Sequence, residues 1–307
     1  MKNFCIIGLG SHARNKIIPS LINIKNSKII TITRNPINTL YNFKNFKNLD
    51  DLDLKKYQNF LFIISTPPQF HFKFIKKLIK FNCNIAVEKP AIIKRSEYNY
   101  LLKNYSKIKS KIFLELFYYK HTNTYLNFFK EWKKNYKKIN RIDIFFTIPS
   151  FPKHSFRKTY DYWYSYIFDI GCYPIDLLNS MKINPKIQKF ELQKNKKKIK
   201  IIYYDSNKII NITFGIGNYK NVIKIFTGDK KNIEYTPFFY SRESTRTKII
   251  NNDNTHIIRD IKEQDSIKKL FNSSKKDLLL LSKFTLESID NSSFAFSQLK
   301  KFKMNVR

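Results

Sequence analysis

Near its start the chain carries Gly8-Leu9-Gly10-Ser11-His12-Ala13, at the end of the apolar run Phe4-Cys5-Ile6-Ile7. The spacing G-x-G-x-x-A suits a turn that receives the pyrophosphate of a dinucleotide. The first glycine permits a tight turn, the second lets the backbone come close to the phosphates, and the alanine lets the next helix pack on its strand. Free N–H groups at that helix's start supply the positive end. The chain has only six glycines in 307 residues, so each marks a place where a side chain is costly. No aspartate or glutamate lies between Gly10 and Asp50, so the carboxylate that accepts from the ribose of NAD is missing. The second strand ends instead in Thr33-Arg34-Asn35, a hydroxyl and a planar guanidinium that suit a 2′-phosphate. NADP(H) is therefore the preferred cofactor, with NAD(H) possible. A plain strand–helix turn and a solvated arginine are the bland alternatives.

Farther along, Tyr160, Tyr162, Trp163 and Tyr164, with Arg157 nearby, have the chemistry to stack on a sugar and hold a phosphate. In a chain with 28 Phe and 19 Tyr, core packing explains the same rings. The five histidines (12, 71, 121, 154, 256) form no i,i+4 pair, so no metal site is expected. Cys5, Cys83 and Cys172 are odd in number and widely spaced, which excludes a disulfide framework and points to a reducing, cytoplasmic setting.

The elements that must position these residues follow from periodicity. A strand over residues 3–9, a helix over 15–24 and a strand over 28–33 make one βαβ unit, the setting in which a glycine-rich turn has meaning. Strands at 60–65, 84–87 and 111–117 alternate with helices at 70–81 and 95–105, which predicts a doubly wound parallel sheet, the Rossmann arrangement. After residue 118 the rhythm changes. A helix over 125–136 and a strand over 141–148 lead to a polar, aromatic loop over 149–164 and a helix starting near Gly171. Strands at 187–193, 198–204, 209–215, 222–227 and 232–235 then predict a mostly antiparallel sheet. The segment 240–260 reads as the least structured, and helices at 264–271 and 275–291 close the chain. Two domains result: residues 1–118, dinucleotide-binding, and 119–307, an α+β domain for substrate and oligomerisation.

The formal charge is +35, with 58 Lys and Arg against 23 Asp and Glu. Only nine of the basic residues are arginine, and the lysines are spread along the chain. Lys, Asn, Ile, Phe and Tyr share A/T-rich codons, so an AT-rich genome accounts for the balance. A solvated basic surface is expected, with weak salt-sensitive attraction to polyanions and no specific nucleic-acid site. No apolar stretch approaches the ~20 residues that span a membrane, and the opening segment is too brief for a signal-peptide core.

Three further blocks carry a resemblance: Ser65-Thr66-Pro67-Pro68 with His71, then Val87-Glu88-Lys89-Pro90, then Asp169-Ile170-Gly171-Cys172-Tyr173 with Asp176. In order and spacing the sequence resembles the Gfo/Idh/MocA family of sugar-type oxidoreductases over nearly its whole length. The resemblance implies that Gly8, Gly10, Ser11, His12, Ala13, Thr33, Arg34, Ser65, Thr66, Pro67, His71, Glu88 and Lys89 surround the cofactor. It implies that Lys89 lies beside the nicotinamide, with Pro90 fixing the turn, often through a cis bond. A lysine so placed and partly desolvated has a lowered pKa and exchanges a proton near neutrality. Lys89 and Tyr173 then form a proton-relay pair with Asp169 orienting them, and Lys120, Arg157, Asp169 and Tyr173 meet the substrate. His71 reads as structural within its helix start, and Asp176 as an anchor for its helix. The resemblance also implies a homodimer or homotetramer.

Bulky residues 162–168 replace a glycine-rich stretch, Lys120 stands for an arginine, and a glycine near Asn82 is missing. The expected activity is NADP(H)-dependent hydride transfer to or from a carbinol carbon of a sugar or nucleotide-sugar. A non-catalytic NAD(P)-binding regulator on the same fold is the alternative.

Overall fold

Six short segments in the first part of the chain pair into one parallel sheet: β1 (Lys2–Ile7), β2 (Ser27–Ile32), β3 (Lys44–Phe46), β4 (Leu61–Ile64), β5 (Asn84–Glu88) and β6 (Phe113–Leu116). The structure is a computed structural model describing residues 2–34, 43–149, 166–183, 186–192, 198–205, 207–239, 246–252 and 254–304. Strand order is β3-β2-β1-β4-β5-β6, with every neighbouring pair parallel. The central strands are buried along their length because helices cover both faces. Alternation sends Phe4 and Ile6 to one layer with Ile17, Leu21 and Phe271. Cys5 and Ile7 enter the other with Ile75, Leu78, Leu101 and Ile289. All three cysteines are buried.

The chain divides into two compact units, residues 1–118 with 263–293, and residues 119–262 with 294–307. Residues 263–293 are thus grouped with the first unit and not with 119–262. The return of the chain to the first unit has identifiable bonds. Lys2 Nζ donates to the carbonyls of Phe271 and Ser273, both at 3.0 Å, and Phe113 N donates to Ser282 Oγ at 2.9 Å. Arg95 pairs with Asp290 and donates to Ser293 Oγ at 2.8 Å. The last helix, Lys275–Met304, is longer than the 275–291 expected.

The second unit is built on an eight-stranded sheet, ordered β14-β13-β12-β11-β7-β10-β9-β8. Its strands are β7 (Ile139–Ile148), β8 (Lys186–Leu192), β9 (Lys198–Asp205), β10 (Lys208–Ile216), β11 (Lys220–Thr227), β12 (Asn232–Thr236), β13 (Arg246–Asn251) and β14 (Asn254–Arg259). Neighbours are antiparallel except β7 and β10, which run parallel. The hairpin β13–β14 corrects the reading of 240–260 as the least structured segment. Its pattern is too polar to announce itself, with residues 254–257 of β14 exposed at the sheet's edge. One face of the sheet is apolar, with Ile142, Ile144, Ile210, Ile212 and Phe214 buried. Helices Asn123–Asn135 and Cys172–Ser180 pack there, as the ring pairs Phe128–Tyr235 and Phe146–Tyr173 show.

Candidate active site

In the first unit the strand order reverses between β1 and β4, and ligands of open parallel sheets bind outside the carboxyl ends of the strands at such a point. Residues 8–10 leave β1 there and residues 65–67 leave β4. Gly8 N donates to Ile32 O at 3.0 Å and Ser65 N to Ile7 O at 2.8 Å, so both turns are tied to the strand ends. Gly8 has φ +89, and a Cβ on it would stand 2.7 Å from Thr66 Cγ2 and 3.1 Å from Ser65 O. Only glycine fits. A Cβ on Gly10 would meet nothing within 4 Å, so this backbone is open to close approach.

Helical structure begins at residue 11, with Arg14 N bonded to Gly10 O at 3.0 Å, earlier than the 15–24 expected. A π-helical stretch, Ala13–Ile17, runs into the helix Ile18–Ile22. Such stretches are frequent at functional sites. Ala13 is fully buried, as close packing requires. Ser11 and Arg34 are exposed, and Thr33 N donates to Phe46 O at 2.9 Å.

Three residues from separate segments meet at the next strand ends. Tyr118 donates its hydroxyl to Glu88 Oε1 at 2.8 Å, and His12 Nε2 lies 3.3 Å from the same oxygen. The His12 and Tyr118 rings are 5.9 Å apart. Burial favours a neutral Glu88, but the His12 charge, the Tyr118 hydroxyl and Lys89 outweigh it and hold the carboxyl below its usual range. Burial likewise favours neutral His12, and Glu88 overcomes it, so its pKa is raised. The His12 contact is one of charge, since Nε2 has no well-directed hydrogen bond. Tyr118 was not foreseen as a site residue. Its signal was its place just past a strand's carboxyl end.

His71 is fully buried. Its Nδ1 lies 2.9 Å from Pro90 O and its Nε2 2.7 Å from Thr66 O, so it joins the turn after β4 to the turn after β5. Burial, the largest influence, lowers its pKa against the pull of both carbonyls and of Glu88 and Glu97. The Lys89–Pro90 bond is cis. Asn82 takes a left-handed conformation, φ +53, which asparagine tolerates where a glycine was expected.

Within the first unit the residues fit a dinucleotide. The turn is bare at Gly10, a helix starts beside it, and Thr66 Oγ1 is buried without a partner. Among the described residues no group of His, Cys, Asp and Glu could hold a metal, and no helix is long and apolar enough to cross a membrane.

In the second unit Tyr173 is half-buried among the rings of Tyr119, Phe146 and Phe239, at 5.8, 5.1 and 5.6 Å. Asp169 lies in the π-helical stretch Tyr166–Ile170 that precedes the helix Cys172–Ser180. Asp176 is fully buried and accepts from Tyr119 Oη and from Lys120 Nζ, both at 2.6 Å. The ammonium of Lys120 is thus bound to the helix that carries Tyr173. Burial and then Asp176 push the Tyr119 hydroxyl well above its usual pKa. Arg157, Tyr160, Tyr162, Trp163 and Tyr164 lie outside the described residues. A cavity of about 420 Å³, lined by Arg141, Asp143, Lys198, Lys200 and Lys220 among others, opens on the sheet face opposite Tyr173.

Residues 2–115 match the Gfo/Idh/MocA oxidoreductase family, characterised by an NAD-binding Rossmann fold. No protein of curated function matches the sequence. Among solved structures, a single-residue variant of a 3-ketoreductase from Actinomadura kijaniata, in complex with TDP-benzene and NADP, is 14% identical. Its TM-score is 0.77, with 98% of this chain and 97% of that chain covered. A Gfo/Idh/MocA family oxidoreductase from Vibrio cholerae is 14% identical, with TM-score 0.76 over 100% of this chain and 99% of that one. An oxidoreductase from Bacillus cereus is 14% identical, with TM-score 0.70 over 97% and 95%. At such identity the likeness is one of fold.

Proposed function

We propose, for a chain whose residues 2–115 match the Gfo/Idh/MocA oxidoreductase family, an NADP(H)-dependent oxidoreductase that moves hydride to or from a carbinol carbon of a sugar or nucleotide-sugar. The observation that carries this reading is the locked pair of turns at the strand-order reversal, where Gly8 has no room for a side chain and Gly10 is open. Bound nicotinamide supplies the hydride chemistry, which the protein cannot supply itself. The chain's own groups do the rest. The N–H groups at the start of helix 11–22 hold the pyrophosphate, and Arg34 with Thr33 holds the 2′-phosphate. Lys89 and Tyr173 give and take the proton of the reacting hydroxyl, and Asp169 orients it. Glu88, kept ionised, offsets charge beside Lys89.

A sugar substrate, and a nucleotide-linked one in particular, is supported by the fold likeness to the ketoreductase in complex with TDP-benzene and NADP. Forms of that enzyme altered at a lysine and at a tyrosine are among the matching structures, the residue types given the proton here.

The test is a titration of the protein and of Arg34→Ala with NADPH and NADH, followed by NADPH oxidation with keto-sugars, free and nucleotide-linked. Preference for NADPH that disappears in Arg34→Ala is expected. Equal affinities, unmoved by the substitution, overturn the phosphate assignment. Tight cofactor binding with no turnover of any keto-sugar favours a regulator.

A further inference from the structure

His71 offers two nitrogens to two carbonyl oxygens, at 2.9 Å to Pro90 and 2.7 Å to Thr66. A carbonyl oxygen only accepts. Neutral imidazole has one N–H and one lone pair, so it can donate to one of these oxygens and must set its lone pair against the other. Imidazolium alone donates to both. The two oxygens belong to different turns of the proposed cofactor site: Thr66 packs against Gly8, and Pro90 follows Lys89. The ring is fully buried, so the contacts it makes are those the fold imposes.

We propose that His71 is a positioning residue whose protonation sets how many of the two turns it holds, both as imidazolium and one as the neutral ring. The functional consequence rests on the dinucleotide reading above; the count of N–H groups does not. The charges that bear on the ring come from two elements. Glu88 at the end of β5 and Glu97 in the first turn of helix Arg95–Lys103 favour the cation. Glu97 is itself held by the N–H groups of Ile93 and Lys94, at 2.7 and 2.9 Å. Glu115 on β6 accepts from Ala91 N at 2.7 Å beside the Pro90 turn, and the charge of Lys89, next to Pro90 in sequence, acts on Glu88. Burial opposes the cation and prevails, so the ring changes state below the ordinary histidine value of about 6.5. In acid the two turns are tied together; towards neutrality one is released.

Coupling between sites is reciprocal. If the doubly bonded form holds the turns as the cofactor needs them, affinity rises as pH falls through the His71 transition. Bound cofactor must in turn raise the pH of that transition. The experiment is a pH series of long-range ¹H–¹⁵N spectra on the full chain labelled at histidine nitrogen, with His71 assigned through backbone connectivity, without and with NADPH. The expected result is two protonated nitrogens at the acid end, one at the neutral end, and a transition moved upward by NADPH. A coupling of about fivefold in affinity moves it by about 0.7 pH units. A single N–H throughout, or a transition that saturating NADPH leaves in place, overturns the proposal. Absence of NADPH binding at any pH sinks the cofactor reading instead, and the nitrogen count still decides how many carbonyls His71 serves. Because the signal belongs to one ring, titration of His12 cannot be mistaken for it.

Discussion

Gly8 and Thr66 lie so close that a single added carbon on the glycine would stand 2.7 Å from the threonine's Cγ2. Two turns 58 residues apart in sequence are thereby seated on each other at the carboxyl ends of β1 and β4. Gly8→Ala must both adopt a left-handed backbone and displace Thr66 or the Ser65 carbonyl. The strain is about 1–3 kcal/mol. Thermal unfolding should move down accordingly, and cofactor titration should show weakened binding. Gly10→Ala meets no protein atom, so its unfolding temperature should stay near that of the parent while cofactor affinity falls. An unchanged affinity in Gly10→Ala would count against phosphate approach at that backbone.

Glu88 and His12 set a pH dependence whose sign can be worked out. His12 has a raised pKa in the fold, so its contribution is complete below its unfolded value and is lost as pH rises through the folded one. Glu88 has a lowered pKa, so its contribution is present above its unfolded value and is lost as pH falls through the folded one. Together they stabilise most between about pH 4.5 and 6.5. Glu88→Gln should flatten the fall in unfolding temperature between pH 6 and 8, and His12 should then titrate below its ordinary value, since burial remains. An unchanged His12 titration would show that Glu88 is not its partner.

Lys89 and Tyr173 should behave as one unit if both serve the reacting proton. Lys89→Ala and Tyr173→Phe are each expected to lower kcat by about 10²–10⁴-fold. The double variant should be little worse than either, as for groups that act together. NADPH affinity in Tyr173→Phe should stay within a few-fold of the parent. Multiplicative losses would assign the two residues independent roles.

Asp176 is the anchor of the helix that carries Tyr173. Asp176→Ala leaves the buried Tyr119 hydroxyl and the Lys120 ammonium without their acceptor and should cost about 3–5 kcal/mol in denaturant unfolding. Asp176→Asn keeps an oxygen for one of them and should cost about 1–3 kcal/mol. A cost below 0.5 kcal/mol in the alanine variant would mean that the triad does not hold that helix.

Periodicity and punctuation determined a large share of this protein. The strands β1, β2, β4, β5 and β6, the glycine turn after β1 and the helix after Gly171 are all written in local patterns. The apolar runs tell which residues leave water, and glycines in so glycine-poor a chain mark the turns. Local patterns say nothing of partners. The short strand β3 and the polar hairpin β13–β14 escaped because neither has an apolar run of its own; they form by lying along β2 and β12. The parallel pairing of β7 with β10 inside an otherwise antiparallel sheet came from tertiary packing alone, as did the return of 263–293 to the first unit.

The site divides in the same way. Gly8, Gly10, Ala13 and the blocks around Lys89 and Tyr173 stand out in the sequence as motifs, because a motif needs only residue type at short spacing, and their roles remain a proposal. That Tyr118 donates to Glu88, and that Lys120 is held by Asp176, depends on which strand ends and helices come together. His71 shows the limit most plainly. Its bonds run to main-chain carbonyls, and every residue has one of those. Residue types determined what these groups are able to do; the folded backbone alone decided which of them meet, because hydrogen bonds and ion pairs act over a few ångströms in space and take no account of separation along the chain.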